Sequence, residues 1–181
     1  MDRKSPEAIS VGEKLRLEPS GQMKLVGVGG TFDILHAGHK RLLRAALHSA
    51  EKVQIGLTSD EFVKRMEKTH KVNTYSLRAE TIRKFLAKEK ALSRTEILCI
   101  DDSYGTAIRD PNLEGLVTSE ETLSMAKEIN TIRQDSGLSA LKLIVVELLA
   151  AEDGKPISAR RIRNGEITCT GKTTVNPKDN M

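Results

Sequence analysis

Two short stretches of this chain hold residue types that could handle a polyphosphate. The first is Gly29-Gly30-Thr31-Phe32-Asp33-Ile34-Leu35-His36-Ala37-Gly38-His39. Glycines let a backbone approach a phosphate closely, and the N–H groups at a helix start point at an anion. Two histidines three apart, His36 and His39, can both donate hydrogen bonds to phosphoryl oxygens. The second stretch is Ile157-Ser158-Ala159-Arg160-Arg161-Ile162-Arg163. Ser158 can cap a short helix while its hydroxyl and the following N–H groups face an anion. Arg163, about one and a half turns further on, could grip the same phosphates with two parallel bonds. Each stretch alone has an ordinary reading, as a satisfied histidine or a basic surface helix with a serine cap. Their coincidence points to phosphate chemistry.

Three rival patterns fail on spacing. Gly27-Val28-Gly29-Gly30-Thr31-Phe32 carries Phe where a dinucleotide fingerprint needs Gly or Ala. Gly171-Lys172-Thr173 looks like the end of a P-loop, yet Glu166 stands where its first glycine belongs and no helix is expected after it. His36 and His39 lack the H-E-x-x-H spacing, and no third metal ligand suggests itself, so no protein-borne metal is expected.

The elements that must position these residues alternate strand and helix. Lys24–Gly29 predicts a buried strand emptying into the first stretch, and His39–Ala50 a helix with Leu42, Leu43, Ala46, Leu47 and Ala50 on one face. Val53–Leu57 reads as a second strand, Leu77–Lys90 as a helix, and Glu96–Ile100 as a third strand. Leu116-Val117 reads as the core of a fourth. Thr118 and Glu121 are spaced as a capping box for a helix turning Met125, Ile129 and Ile132 inward. Leu141–Leu149 is the fifth strand, followed by a short helix at Ser158–Arg163 that Asn164-Gly165 stops. The expected fold is α/β: a Rossmann-like open parallel sheet of about five strands with helices on both faces. In such sheets ligands bind beyond the carboxyl ends of the strands, where Gly29–His39 falls. The expected division is an N-terminal extension 1–22, one domain 23–168 and a polar C-terminal tail 169–181.

Composition narrows the function classes. A chain of 181 residues with 38% hydrophobic residues can build one core, and 2 Tyr, 3 Phe and no Trp make it an aliphatic one. Few aromatics also argue against a platform for stacking single-stranded bases. The net charge of +4 is unevenly spread: residues 60–94 hold ten Lys/Arg against five Asp/Glu, so the remainder sums to −1. That window is a solvated helix face or a local anion site. Cys99 and Cys169 fit neither a disulfide framework nor a zinc pattern, which predicts reduced thiols and a cytoplasmic protein. No apolar run is long enough for a membrane span, and the N-terminus lacks the apolar stretch of a signal peptide.

His36-x-Gly38-His39 and Ile157-Ser158-x-x-x-x-Arg163 resemble the paired signatures of the HxGH nucleotidyltransferase superfamily. Within it, GGTFDILHAGHKRLL and DDSYGTAIRDPNLEGLVTSEETLSMAKEIN resemble the phosphopantetheine adenylyltransferases of archaeal and eukaryotic type, over residues 24–167. The resemblance implies an enzyme that transfers AMP from ATP to 4′-phosphopantetheine, releasing pyrophosphate and forming dephospho-coenzyme A. It implies Mg²⁺ carried by the ATP phosphates, small-molecule partners rather than nucleic acid or membrane, and leaves the oligomeric state open. It further implies ATP binding by Gly29, Gly30, Thr31, Phe32, His36, Gly38, His39, Ser158 and Arg163. Thr31 and Lys71 would meet the acceptor, with His39, His36 and Lys71 catalytic. Lys71 has a plainer reading as one more lysine of a basic loop. An arginine that follows the fourth strand in the bacterial branch is replaced here by Thr118-Ser119-Glu120, with Arg78 or Arg109 as possible substitutes. Rival readings are the same transfer to nicotinamide mononucleotide, flavin mononucleotide or a phosphorylated alcohol, a nucleotide-binding module without turnover, and a nucleic-acid binder.

Overall fold

In the computed structural model the described residues are Ile9–Ser10, 22–68 and 70–174. The rest of the expected N-terminal extension, and residues 175–181 of the expected tail, lie outside them. Among the described residues six strands form one sheet: β1 (Ile9–Ser10), β2 (Met23–Gly30), β3 (Ala50–Thr58), β4 (Thr95–Ile100), β5 (Gly115–Ser119) and β6 (Lys142–Val146). Their order is β1-β6-β5-β2-β3-β4, and every pairing is parallel. The five expected strands are β2 to β6. The addition is β1, whose two residues pair with Ile144 and Val145 at the sheet edge, too short a run for periodicity to reveal.

Helices cover both faces, which is why the strands read as apolar runs rather than alternating ones. One face packs against α1 (Ala37–Ser49) and α3 (Tyr75–Lys88): Val26, Val28, Val53 and Ile55 meet Leu43, Leu47, Ile82 and Leu86 in a single buried cluster. The other packs Leu113, Leu116 and Leu143 against Ala126 and Ile129 of α4 (Leu123–Asp135). The core is aliphatic as composition requires; its two buried aromatics are Phe32 and Phe85. No helix among the described residues is long and apolar enough to cross a membrane.

Several boundaries shift. The capping box is Ser119 with Thr122, one residue from the expected Thr118–Glu121 pair, and it opens a 3₁₀ turn, Glu120–Thr122, before α4 begins. Ile132 is only half-buried; Asn130 and Arg133 take the inward positions instead. Both are hydrogen-bonded there, Asn130 to the backbone of Leu141 and Arg133 to the carbonyls of Ala107, Asp110 and Ser139. The last strand stops at Val146, short of Leu149. A short helix, α2 (Asp60–Arg65), was not expected; Ser59 caps it by accepting from the Phe62 N–H at 3.0 Å. Residues 169–174, assigned above to a polar tail, are hydrogen-bonded to the body. The Cys169 carbonyl accepts from the Ala37 N–H, the Gly171 carbonyl from the Glu152 N–H, and Thr173 donates to the Glu152 carboxylate. Backbone bonding of this kind leaves no apolar pattern to read.

The strand order reverses at β2, which lies between β3 and β5. A crevice opens at such a reversal beyond the strand ends, and the first of the two phosphate stretches follows β2 directly.

Candidate active site

A cavity of about 740 Å³ occupies that crevice. One wall is the turn after β2 and the start of α1. A second is the loop Asp102–Thr106 after β4. A third comes from Thr118-Ser119 at the end of β5, from Glu147–Leu149 after β6, and from Ile157–Arg160. Its size suits a nucleotide-scale ligand.

The turn is built by short-range constraints. Phe32 sits at φ 47° with its ring 1% exposed, folded back under β2. A Cβ on Gly30 would lie 3.1 Å from that ring, so glycine there is what admits it. The ring edge then packs on His39, centroids 5.1 Å apart. Phe32 therefore lines the cavity mainly as the support beneath His39.

His36 caps α1, its Nδ1 accepting from the His39 N–H at 3.4 Å. The two imidazoles stack, centroids 3.8 Å apart and planes 20° from parallel. A Cβ on Gly38 would approach the His36 ring to 3.2 Å, which explains a glycine between the histidines. Burial, helped by the charges of His39 and Lys40, pulls His36 down to about 3. Burial likewise pulls His39 down to about 4, against the opposing pull of its bond to Ile34 and the charge of Asp33. Both rings are therefore neutral at pH 7.

Their tautomers differ, and this decides what each can offer. His36 Nδ1 is an acceptor, so its proton sits on Nε2, free to donate. His39 Nδ1 lies 3.0 Å from the Ile34 carbonyl, which can only accept, so Nδ1 carries the proton. Neutral His39 presents a bare Nε2, and it can donate to a phosphoryl oxygen only as imidazolium. The helix start adds less than expected, because the Ala37 N–H is taken by Cys169. Gly38, which lines the cavity, keeps its N–H without a partner among the described residues.

Asp33 links three segments of the chain. Its carboxylate, 4% exposed, accepts from Arg163 Nε at 3.0 Å and from a second Arg163 nitrogen at 2.8 Å, and from the Asn73 N–H at 2.8 Å. Burial pushes the carboxyl up, but the bonds to Arg163 and Asn73 and the charges of Arg163 and His70 outweigh it and hold it below its ordinary value. Arg163, expected to hold phosphates, is thus clamped on Asp33 and Asn73 and does not line the cavity. Arg160 does, beside Ser158, which caps α5 (Ala159–Arg163) by accepting from the Arg161 N–H.

The basic loop between α2 and α3 shows a similar exchange. Lys71 is exposed and stands outside the cavity lining, whereas Lys68 and His70 are part of it. Burial holds the Lys68 ammonium below its ordinary value. Neither candidate for the missing bacterial arginine reaches the cavity. Arg109 is exposed near Asp102, and Arg78 is fully buried with its donors committed to Asn73, Thr31, Thr58 and Asp60. Arg78 instead holds the Gly29–Thr31 turn by the Thr31 carbonyl, a role no local pattern could announce. Gly29, Gly30, Thr31, His36, Gly38, His39 and Ser158 all line the one cavity. Among the described residues no group of three or more His, Cys, Asp or Glu could hold a metal ion, and Asp33 is committed to Arg163.

Known proteins share this fold and much of this sequence. The profile of the cytidylyltransferase-like family matches residues 28–165. A phosphopantetheine adenylyltransferase of Methanothermobacter thermautotrophicus is 42% identical over 147 residues, covering 81% of this chain and 87% of the relative. One of Methanopyrus kandleri is 39% identical, covering 83% of this chain and 95% of its own. A solved structure from Archaeoglobus fulgidus, of unknown function, superposes with a TM-score of 0.62 at 33% identity, covering 68% of this chain and 89% of that one. The chain belongs to the cytidylyltransferase-like family, in which archaeal phosphopantetheine adenylyltransferases match it over most of its length.

Proposed function

We propose that this enzyme transfers AMP from ATP to 4′-phosphopantetheine, forming dephospho-coenzyme A and releasing pyrophosphate. The observation that carries the reading is the stacked His36–His39 pair on the cavity wall, in a chain about 40% identical to phosphopantetheine adenylyltransferases. An acceptor phosphate oxygen attacks the α-phosphorus, a new P–O bond forms, and the bond to the β-phosphate oxygen breaks, with pyrophosphate as leaving group. A phosphate monoester, with a second pKa of about 6, is mostly dianionic at pH 7 and needs no general base. The protein's task is then positioning and charge neutralisation.

In this reading His36 Nε2–H, the Gly38 N–H and protonated His39 donate to the reacting phosphoryl oxygens. Gly29, Gly30 and Thr31 shape the turn, with Thr31 beside the acceptor phosphate. Ser158 and Arg160 lie along the run of the β- and γ-phosphates, while Arg163 acts through Asp33. Lys68 supplies from the cavity wall the charge expected of Lys71. Mg²⁺ carried by the ATP phosphates would neutralise charge on the leaving pyrophosphate.

The test is pyrophosphate release from Mg-ATP with a panel of phosphate acceptors. Turnover is expected with 4′-phosphopantetheine; turnover with nicotinamide or flavin mononucleotide and none with 4′-phosphopantetheine would overturn the assignment. A second expectation concerns Gly38→Ala. Alanine suits a helix start as well as glycine does, so the unfolding temperature should hold. The added methyl pushes the His36 ring by a few tenths of an ångström, and kcat/KM should fall about tenfold, since displacements near 1 Å can cost about 10². Unchanged kcat/KM would show that the His36 position does not matter.

A further inference from the structure

The loop Glu67–Thr74 carries one atom that the fold leaves unexplained. His70 Nδ1 is buried, and among the described residues it is the one buried side-chain nitrogen or oxygen without a hydrogen-bond partner. Such an atom costs stability, and each instance in a native structure calls for a reason. The residue lines the cavity, alongside the Gly29–Thr31 turn and His39. Its other nitrogen, Nε2, stands 3.6 Å from Asp33 Oδ2, an ion-pair distance slightly beyond hydrogen-bond reach. Asp33 cannot drift, because Arg163 and the Asn73 N–H hold it from two other segments. A fixed carboxylate thus stands behind the imidazole, and the nitrogen on its other side has nothing.

We propose that His70 is a phosphate-contacting residue of the site: Nδ1–H donates to a phosphoryl oxygen at the reacting end of the cavity, while Asp33 holds Nε2–H. Both nitrogens donate only in the imidazolium form. The carboxylate that faces the ring is Asp33, and the groups sharing that carboxylate's field are Arg163, Lys68 and His39. Asp33 is a positioning residue, acting through His70 and Arg163. The inference rests on the phosphoryl-transfer reading but not on the identity of the acceptor. The phosphoryl oxygen belongs either to the acceptor monoester or to the nucleotide, and the test separates them.

Two probes serve, 4′-phosphopantetheine and inorganic tripolyphosphate, with binding measured by calorimetry and KM and kcat by pyrophosphate release. His70→Asn should weaken binding of at least one probe about tenfold, close to 1.4 kcal/mol, with the unfolding temperature unchanged. A loss confined to 4′-phosphopantetheine places the contact on the acceptor, and one confined to tripolyphosphate places it on the nucleotide. His70→Lys, which restores a cationic donor, should recover most of the affinity; a space-filling histidine would gain nothing from lysine. His48→Asn, exposed in the last turn of α1, should leave both probes unaffected. In the unaltered protein, long-range ¹H–¹⁵N spectra of its 4 histidines should show both His70 nitrogens protonated once the bound probe is present. Both probes binding His70→Asn within twofold of the unaltered protein, or a bare Nδ1 in the bound spectrum, would overturn the proposal. Failure of the unaltered enzyme to use 4′-phosphopantetheine, with tripolyphosphate binding still lost in His70→Asn, would remove the acceptor assignment and leave His70 standing.

Discussion

His39→Ala is expected to lower kcat by about 10²–10³-fold, the usual cost of losing one donor aimed at developing charge. The fold should survive, because the His39 ring is half-buried at the start of α1 and alanine is a good helix former. The physical content lies in the proton. Burial holds His39 at about 4, and the one N–H of its neutral ring is spent on the Ile34 carbonyl. A phosphoryl oxygen approaching Nε2 therefore meets a lone pair unless the ring is protonated. Polyphosphate charge favours the imidazolium, so the value rises on binding and a proton is taken up from solvent. The sign follows: the complex holds more protons than the free enzyme, so affinity falls as pH rises through the raised value in the complex. Calorimetry of triphosphate binding at pH 6, in buffers of different ionisation enthalpy, should show net proton uptake that is smaller in His39→Ala. Zero uptake in the unaltered protein, or near-normal turnover in a folded His39→Ala, would remove His39 from this role.

The second large effect is on stability. Arg78→Met is expected to destabilise the fold by about 3–5 kcal/mol, since each buried acceptor left without its donor costs about 1–3 kcal/mol. Arg78 is 0% exposed, and its guanidinium reaches the Asn73 carbonyl at 2.8 Å, the Thr31 carbonyl at 2.9 Å and the Thr58 hydroxyl at 3.2 Å. Its bond to Asp60 at 2.9 Å adds less, because that carboxylate is 45% exposed and screened by solvent. For a chain of this size the unfolding temperature should drop by roughly 10 °C. Loss of the Thr31 and Asn73 contacts should also loosen the phosphate turn and the loop bearing Lys68 and His70, raising KM in whatever folded protein remains. A melting temperature within about 2 °C of the unaltered protein would mean that water replaces the guanidinium.

The parts of the site that were legible beforehand are those held by near neighbours in sequence. Gly30 admits the Phe32 ring, and Gly38 admits the His36 ring, over two residues each. His36 caps the helix by accepting from His39 three residues on, and Ser158 likewise for Arg161. Contacts of that reach leave a spacing pattern in the chain. Arg163 illustrates the opposite case. Its partner Asp33 is 130 positions away, so a helix-terminal arginine near phosphates and one clamped on a carboxylate look identical in sequence. The Thr31 carbonyl lies 47 positions from Arg78, and a buried arginine inside a basic window is indistinguishable from its solvated neighbours.

Lys68, His70 and Lys71 lie within four residues of one another, yet the first two line the cavity and the third faces solvent. Residue type named the chemistry of that loop; the Asn73 bonds to Asp33 decided which side chains it delivers. The sequence by itself determined the parallel α/β sheet, the mouth at the end of β2 and the histidine pair, because periodicity and capping are local properties of a chain. The choice among cations, the clamping of Arg163 and the burial of Arg78 were decided by tertiary structure. Each depends on a carboxylate or a carbonyl whose position only the packed fold supplies.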